Sequence, residues 1–260
     1  QDLLYGMLLP SGNDAAVAVA EHIGGSLAEF VRMMNDRARE LGAERTHFAN
    51  PHGLDKPDHY STAFDMAMLS RVALLYPHFA DMVQTRSYTP DGHRTWSNTN
   101  KLLWSYEGAE GIKTGTTGQA GNCLAAAASR QGMQLIVVVL GSSNRWRDTV
   151  RLLEYGFDNF AVINVAEKGV PLAQINLRRS TRPLILVPTG DLNILVRYRD
   201  TDTSLSTHLI TDRATLPIRA GARIGTYEVL AGNTSVAAIP LIAQADVRRL
   251  SLWHIIRSRF

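Results

Sequence analysis

The stretch Gly111-Ile-Lys-Thr-Gly-Thr-Thr-Gly-Gln-Ala-Gly-Asn-Cys-Leu-Ala-Ala-Ala-Ala-Ser129 decides the fold. Gly111 to Thr114 and Asn122 to Ser129 read as strands, and a short polar run rich in glycine joins them. A third strand, Gln134 to Gly141, follows directly after Arg130-Gln131-Gly132. Connections this short force antiparallel pairing, because a parallel crossover needs a dozen residues or more. Next, Val150, Leu153, Phe157 and Phe160 form one apolar stripe between about Arg147 and Phe160, which predicts a helix laid on that sheet. Helices covering an antiparallel sheet make this region α+β.

Working outward, the segment before the strands reads as helical. Asn13 or Asp14 is placed to cap a helix through the Ala/Val run to Ile23, with Gly24-Gly25 as its stop. Ser26-Leu27-Ala28-Glu29 is a capping box opening a second helix with Phe30, Met33, Met34, Ala38 and Leu41 on one face. Residues 43–60 read as an irregular loop, and Ser61 or Thr62 starts a third helix that Pro77 ends near Tyr76. Pro90-Asp91-Gly92 between Arg86–Thr89 and His93–Trp96 is a hairpin signal. After residue 161 short runs such as Leu184–Val187, Leu192–Tyr198 and Thr226–Leu230 alternate with Gly and Pro turns, so a small all-β domain is expected over 161–250 behind a domain of residues 1–160.

Composition narrows the classes. With 45% hydrophobic and 20% charged residues over 260 positions, the chain buries a core and is not disordered. Its longest aliphatic run, Leu135–Leu140, is far short of the roughly 18 apolar residues of a spanning helix. The four lysines stand against 23 arginines; residues 1–160 carry net −3 and residues 161–260 net +6. A basic second half admits an anionic partner without choosing one, and its scattered arginines argue against nucleic acid. The single Cys123 excludes an internal disulfide, and no Cys/His spacing suggests zinc. Residues 251–260, with Leu252, Ile255, Ile256 and Phe260 near flanking arginines, read equally as the start of an interfacial amphipathic tail or as one apolar turn packed on its own domain.

Chemistry is carried by two short motifs, Ser11-Gly12-Asn13 before a helix and Lys113-Thr114-Gly115 at a strand end. Either alone is weak, since Ser-Gly-Asn is also an ordinary capping turn. Together and in this order they are the second and third motifs of the serine acyltransferases that open with S-x-x-K. With Thr46–Leu54, Tyr60–Asp65, Asn98–Leu103 and Gly111–Leu124, the chain closely resembles the low-molecular-weight penicillin-binding proteins that act as D-alanyl-D-alanine carboxypeptidases. The resemblance covers nearly the whole chain. It implies a penicillin-binding-protein/β-lactamase-like catalytic domain followed by a β-rich domain, and no cofactor. It also implies stem peptides of peptidoglycan ending in D-Ala-D-Ala as substrate, β-lactams as ligands, and residence in the cell envelope.

Residue by residue, the resemblance makes Ser11 a proton relay to the leaving D-Ala and Asn13 an orienter of the substrate amide. Lys113 supplies charge, Thr114 and Thr116 bond the terminal carboxylate, Gly115 admits the substrate backbone, and the Thr116 N–H is an oxyanion donor. The departure is that Gly53, Asn98, Glu110 and Val165 stand three positions before the four lysines, so no S-x-x-K occurs. In the family that motif precedes Ser-Gly-Asn and would fall before Gln1, which leads us to expect a truncated or processed N-terminus, an inactive 260-residue chain, and an incomplete sheet with an exposed apolar edge. A class A β-lactamase is disfavoured because none of Glu21, Glu29, Glu40 or Glu44 begins E-x-x-L-N. A non-catalytic peptidoglycan-binding scaffold is the remaining alternative. His47, His52 and His59 are expected to pack and hydrogen-bond within their loop rather than bind metal, Cys123 to be a buried small side chain, and Trp96, Trp104 and Trp146 to be core or groove walls.

Overall fold

The computed structural model describes residues 1–92, 94–198 and 205–250. It forms two compact units, one ending at Asp158 and the other beginning at Asn159.

In the first unit β3 (Ala109–Thr117), β4 (Gly121–Arg130) and β5 (Met133–Val139) make an antiparallel sheet in the order β3-β4-β5. Register runs Lys113 opposite Ala125 and Gly115 opposite Cys123. Alternate residues of β4 serve opposite faces. Leu124 and Ala126 join Val139 and Leu102 under Trp146 and Val150, the last two from α7 (Arg145–Asn159). Ala125 and Ala127 join Ile112 against Leu8, Leu9 and Val83, which come from α1 (Asp2–Leu8), the residue after it, and α5 (Pro77–Gln84). Burial on both faces explains the unbroken alanine run, whose small side chains let helices approach closely. At Gly156 of α7 a Cβ would sit 2.4 Å from Leu135 Cδ1, so α7 lies directly on β5. Among the described residues β5 has a strand partner on one side only, and Leu135–Val138 are half-buried there.

The helical segment is α1, α2 (Asn13–Gly24), α3 (Leu27–Glu40) and α4 (Ala63–Leu74), with the four-residue α6 (Leu102–Ser105) later in the chain. Three expectations need correction. The cap of α2 is Gly12, with no side-chain bond, and Asp14 Oδ1 accepts only from the neighbouring Ala15 N–H. Pro77 does more than stop a helix: its fixed φ makes it the first residue of α5. Residues 2–8 form α1, where no helix was expected. The box at Ser26 is half made, Ser26 Oγ accepting from Glu29 N–H at 3.2 Å while the Glu29 carboxylate pairs with Arg32. The expected hairpin is present as β1 (Ser87–Tyr88) paired with β2 (Trp96–Ser97); His93 within it lies outside the described residues.

The second unit is built of antiparallel β-structure. β10 (Leu205–Thr211), β11 (Arg223–Ala231), β12 (Thr234–Ala243), β8 (Leu184–Pro188) and β7 (Ala173–Ile175) form one sheet in that order, and β6 (Phe160–Ala166) pairs with β9 (Leu192–Arg197) in a second. Ala166, Leu192 and Ile194 pack on Val229 and Ile239, closing the two sheets on one another. Phe160 thus opens a strand rather than ending a helix. The proposed tail, 251–260, lies outside the described residues. No helix among the described residues is long and apolar enough to cross a membrane.

Candidate active site

The two motifs, 102 positions apart, meet in one place. Leu9 closes α1, and the Thr99 N–H donates to its carbonyl at 3.1 Å. The Gly12 N–H returns to Gly6 O at 2.9 Å, and between them Ser11 takes φ 64°, a left-handed conformation that costs a serine of the order of 1 kcal/mol or more. The loop so held points the Ser11 side chain at β3, where Lys113 Nζ donates to Ser11 Oγ at 2.7 Å and to Thr114 O at 2.9 Å. Burial drives the Lys113 ammonium down to about 8, helped by the positive charge of Arg145. A cation is therefore held against desolvation and against a second cation.

Arg145, at the start of α7, was not singled out in the sequence. Its Nη1 donates to Gly115 O at 2.7 Å, Thr116 Oγ1 at 2.9 Å and Cys123 O at 3.2 Å, and its guanidinium lies 4.9 Å from the Trp146 ring centroid. The signal available was Arg145 opening the helix that follows the strands, too common a placement to stand out. Thr116 is exposed, with Oγ1 also 3.3 Å from Asn122 Oδ1. Thr114 is buried, sharing its hydroxyl with Thr99 at 2.6 Å. Asn13 is exposed on the first turn of α2; its side chain forms no hydrogen bond among the described residues. Gly115 is exposed, its φ is ordinary, and a Cβ there would meet only Cys123 Cβ at 3.7 Å. Nothing in the fold demands glycine at 115, so the open space before it faces outward.

The loop histidines hydrogen-bond within their own segment: His47 Nδ1 to Asp58 O, Ala49 N–H to His59 Nδ1 at 2.9 Å, and Leu54 N–H to His52 Nδ1 at 3.3 Å. Burial lowers the His59 pKa. Cys123 is not buried as expected. It lies at the end of β4 beside the turn, partly exposed, because the burial of that strand begins only at Leu124. Trp96 lines a groove with Gly6, Gly12, Ala15 and Ala18, and Trp146 packs on the core. Trp104 does neither and is half exposed.

An antiparallel sheet between helices, with a serine loop and a lysine strand joined at its edge, is the architecture of penicillin-binding proteins. The structure of penicillin-binding protein 5 from Haemophilus influenzae matches with TM-score 0.70 and 31% identity over 95% of this chain and 74% of that one. The Streptomyces K15 DD-transpeptidase matches with TM-score 0.59 and 37% identity over 60% and 67%. A family model described as D-alanyl-D-alanine carboxypeptidase matches residues 1–144, and the chain belongs to that family. Relatives include the D-alanyl-D-alanine carboxypeptidases DacF of Bacillus subtilis, 32% identical over 96% of this chain and 66% of its own length, and DacC of Escherichia coli, 31% identical over 100% and 67%. The chain spans about two thirds of the length of these curated relatives.

Proposed function

We propose that the full-length protein is a serine-type D-Ala-D-Ala carboxypeptidase of peptidoglycan that forms an acyl-enzyme and binds penicillin. The observation that carries this reading is the Lys113–Ser11 contact at 2.7 Å on an open strand edge, reinforced by Arg145. A strand edge carrying a half-buried ammonium and a guanidinium suits a peptide that ends in a free carboxylate.

In this reading Arg145 and the Thr116 hydroxyl take the terminal carboxylate, with Thr114 beside them through its pairing with Thr99. The substrate backbone lies along Gly115, and the Thr116 N–H faces the oxyanion. An S-x-x-K serine, which these 260 residues do not contain, attacks the carbonyl of the penultimate D-Ala. The amide C–N bond breaks, Ser11 passes a proton to the departing nitrogen, and water then hydrolyses the ester. Lys113 holds Ser11 for that transfer, and Asn13, free of capping duty, orients the substrate amide. Residues 1–160 form the catalytic domain and 161–250 the β-rich domain that follows it.

The substrate places the protein in the cell envelope, with roles in wall biogenesis and cell shape. Peripheral contact with an anionic envelope surface is supported at the end of the second unit. There Ser180 bridges Arg249, and Ile218 bridges Val247. These ladders set Arg178, Arg179, Arg182, Arg219, Arg248 and Arg249, all exposed, on three neighbouring segments, with Asp246 between them.

Intact-mass measurement of the full-length protein with penicillin tests the reading. One adduct is expected, with Lys113→Ala lowering kcat/KM on a peptide ending in D-Ala-D-Ala. No adduct at all would move the weight to the non-catalytic scaffold, and rapid release of hydrolysed penicillin to a β-lactamase.

A further inference from the structure

The edge of β3 that faces the proposed substrate carries no strand partner among the described residues. Its last pair with β4 is Thr117–Gly121, so Thr116 sits one residue from a hairpin turn. Ends of edge strands fray more readily than paired interiors. Yet this turn is held from outside by a residue more than sixty positions away. Asp55 Oδ2 accepts from the Gln119 N–H at 3.1 Å, and the neighbouring Thr117 hydroxyl and the Gly118 and Gln119 N–H groups hold its carboxyl below the usual carboxylate range. A Cβ at Gly118 would lie 3.4 Å from Asp55 Oδ2, so turn and carboxylate are in close contact.

The loop presenting Asp55 is itself built stiff. Asn35 of α3 grips Phe48 twice, Nδ2 to its carbonyl and Oδ1 from its N–H, both at 2.8 Å. Asn50, buried, accepts from the Gly53 N–H at 2.7 Å and donates to Leu54 O at 2.8 Å, fixing the two residues before Asp55. Lys56 Nζ donates to Ala49 O at 3.1 Å immediately after it. A continuous hydrogen-bonded path thus runs from α3 through the loop to the turn that ends β3.

We propose that Asp55 is a positioning residue for the carboxypeptidase reaction. By clamping the Thr117–Gln119 turn it fixes the Thr116 N–H where the oxyanion develops. The inference rests on the reading of β3 as the substrate strand. Donors to a developing charge act through placement, and an error near 1 Å costs on the order of a hundredfold in rate. Because the oxyanion exists only beyond the ground state, the loss falls on kcat rather than KM.

The test uses the full-length protein and Asp55→Asn, which keeps the side-chain size but turns one acceptor oxygen into a donor beside the Gln119 N–H. Expected are a kcat lower by roughly 10- to 100-fold with KM within about threefold, and amide exchange at Gly118–Ala120 faster by about tenfold. Thr117→Val, which removes the acceptor of the Ala120 N–H at 3.0 Å within the turn, gives the same pattern more weakly. A kcat unchanged in Asp55→Asn overturns the proposal, as does an unchanged exchange rate at the turn. So does a lowered kcat that comes with general unfolding while Thr117→Val is fully active. If the wild-type protein fails to cleave the peptide, the reading of the site falls, while the exchange measurement still decides whether Asp55 clamps the turn.

Discussion

Lys113 should weaken the fold at neutral pH while serving the site. Its ammonium, displaced from 10.5 to about 8 first by burial and then by Arg145, is disfavoured in the folded state by ~3 kcal/mol, at about 1.4 kcal/mol per pH unit. Replacing it with methionine, a chain of similar length, removes that cost but gives up two hydrogen bonds, to Ser11 and Thr114, worth about 1 kcal/mol each. The net expectation at pH 7 is that Lys113→Met is more stable by ~1 kcal/mol, or about 3 °C. Between about 8 and 10.5 the unfolded chain holds the lysine proton and the folded chain does not, so wild-type stability rises with pH relative to the variant. By pH 10.5 most of the penalty has gone and the variant should be the less stable by about 2 kcal/mol, the lost hydrogen bonds alone remaining. Urea unfolding followed by tryptophan fluorescence reads this, because three of the four tryptophans, Trp96, Trp104 and Trp146, lie in the first unit. A difference between variant and wild type that stays constant from pH 7 to 10.5 would refute the claim that Lys113 is held against desolvation.

The other two residue sets yield sharper functional outcomes. Arg145→Gln removes the neighbouring charge that depresses Lys113, so the alkaline limb of the activity profile should move upward, and kcat/KM on a carboxylate-ended peptide should fall about 30-fold or more; an unaltered profile with full activity would separate Arg145 from the site. The arginines of the second unit should support binding to vesicles containing anionic lipid. Arg179→Gln with Arg219→Gln is expected to weaken that binding about 30-fold at about 1 kcal/mol per arginine, and deleting 248–260 should weaken it further; equal binding by all three proteins retires the membrane contact.

The central sheet was legible because each of its signals is local. Three strands with short connections admit one pairing, and the stripe on α7 admits one face. What escaped depended on contacts made elsewhere. Residues 2–8 carry Tyr5 and Leu8, which have a partner only once Tyr88 stacks on Tyr5 at 3.9 Å and Val83 packs below. Pro77 reads as a stop because a proline ends the helix before it, and reads as a start only when the seven residues after it find β3 to cover. Cys123 was placed in the core by its alanine neighbours, but the sheet's cover ends one residue later. In the site, Ser11 and Lys113 stood out through resemblance to a family. Arg145 could not, since its role depends on the carbonyl of Gly115, a group every residue has.

The residues that meet at the site share one property in the structure: each gives up something locally. Ser11 sits at φ 64° where a glycine would be unstrained. Asn13 is exposed on the first turn of α2, with its side-chain amide unpaired among the described residues. Lys113 is half-buried without a carboxylate, beside Arg145. Gly115 leaves room that the fold does not need. Four unrelated departures from local preference at scattered positions would be unremarkable, but these four converge around a contact of 2.7 Å. Such convergence is expected where an external ligand completes the interactions that the chain leaves unmade. A ligand that repays all four must bring an anion for the two cations, an amide for Asn13 and an extended backbone for the space at Gly115. A peptide with a free C-terminal carboxylate has all three.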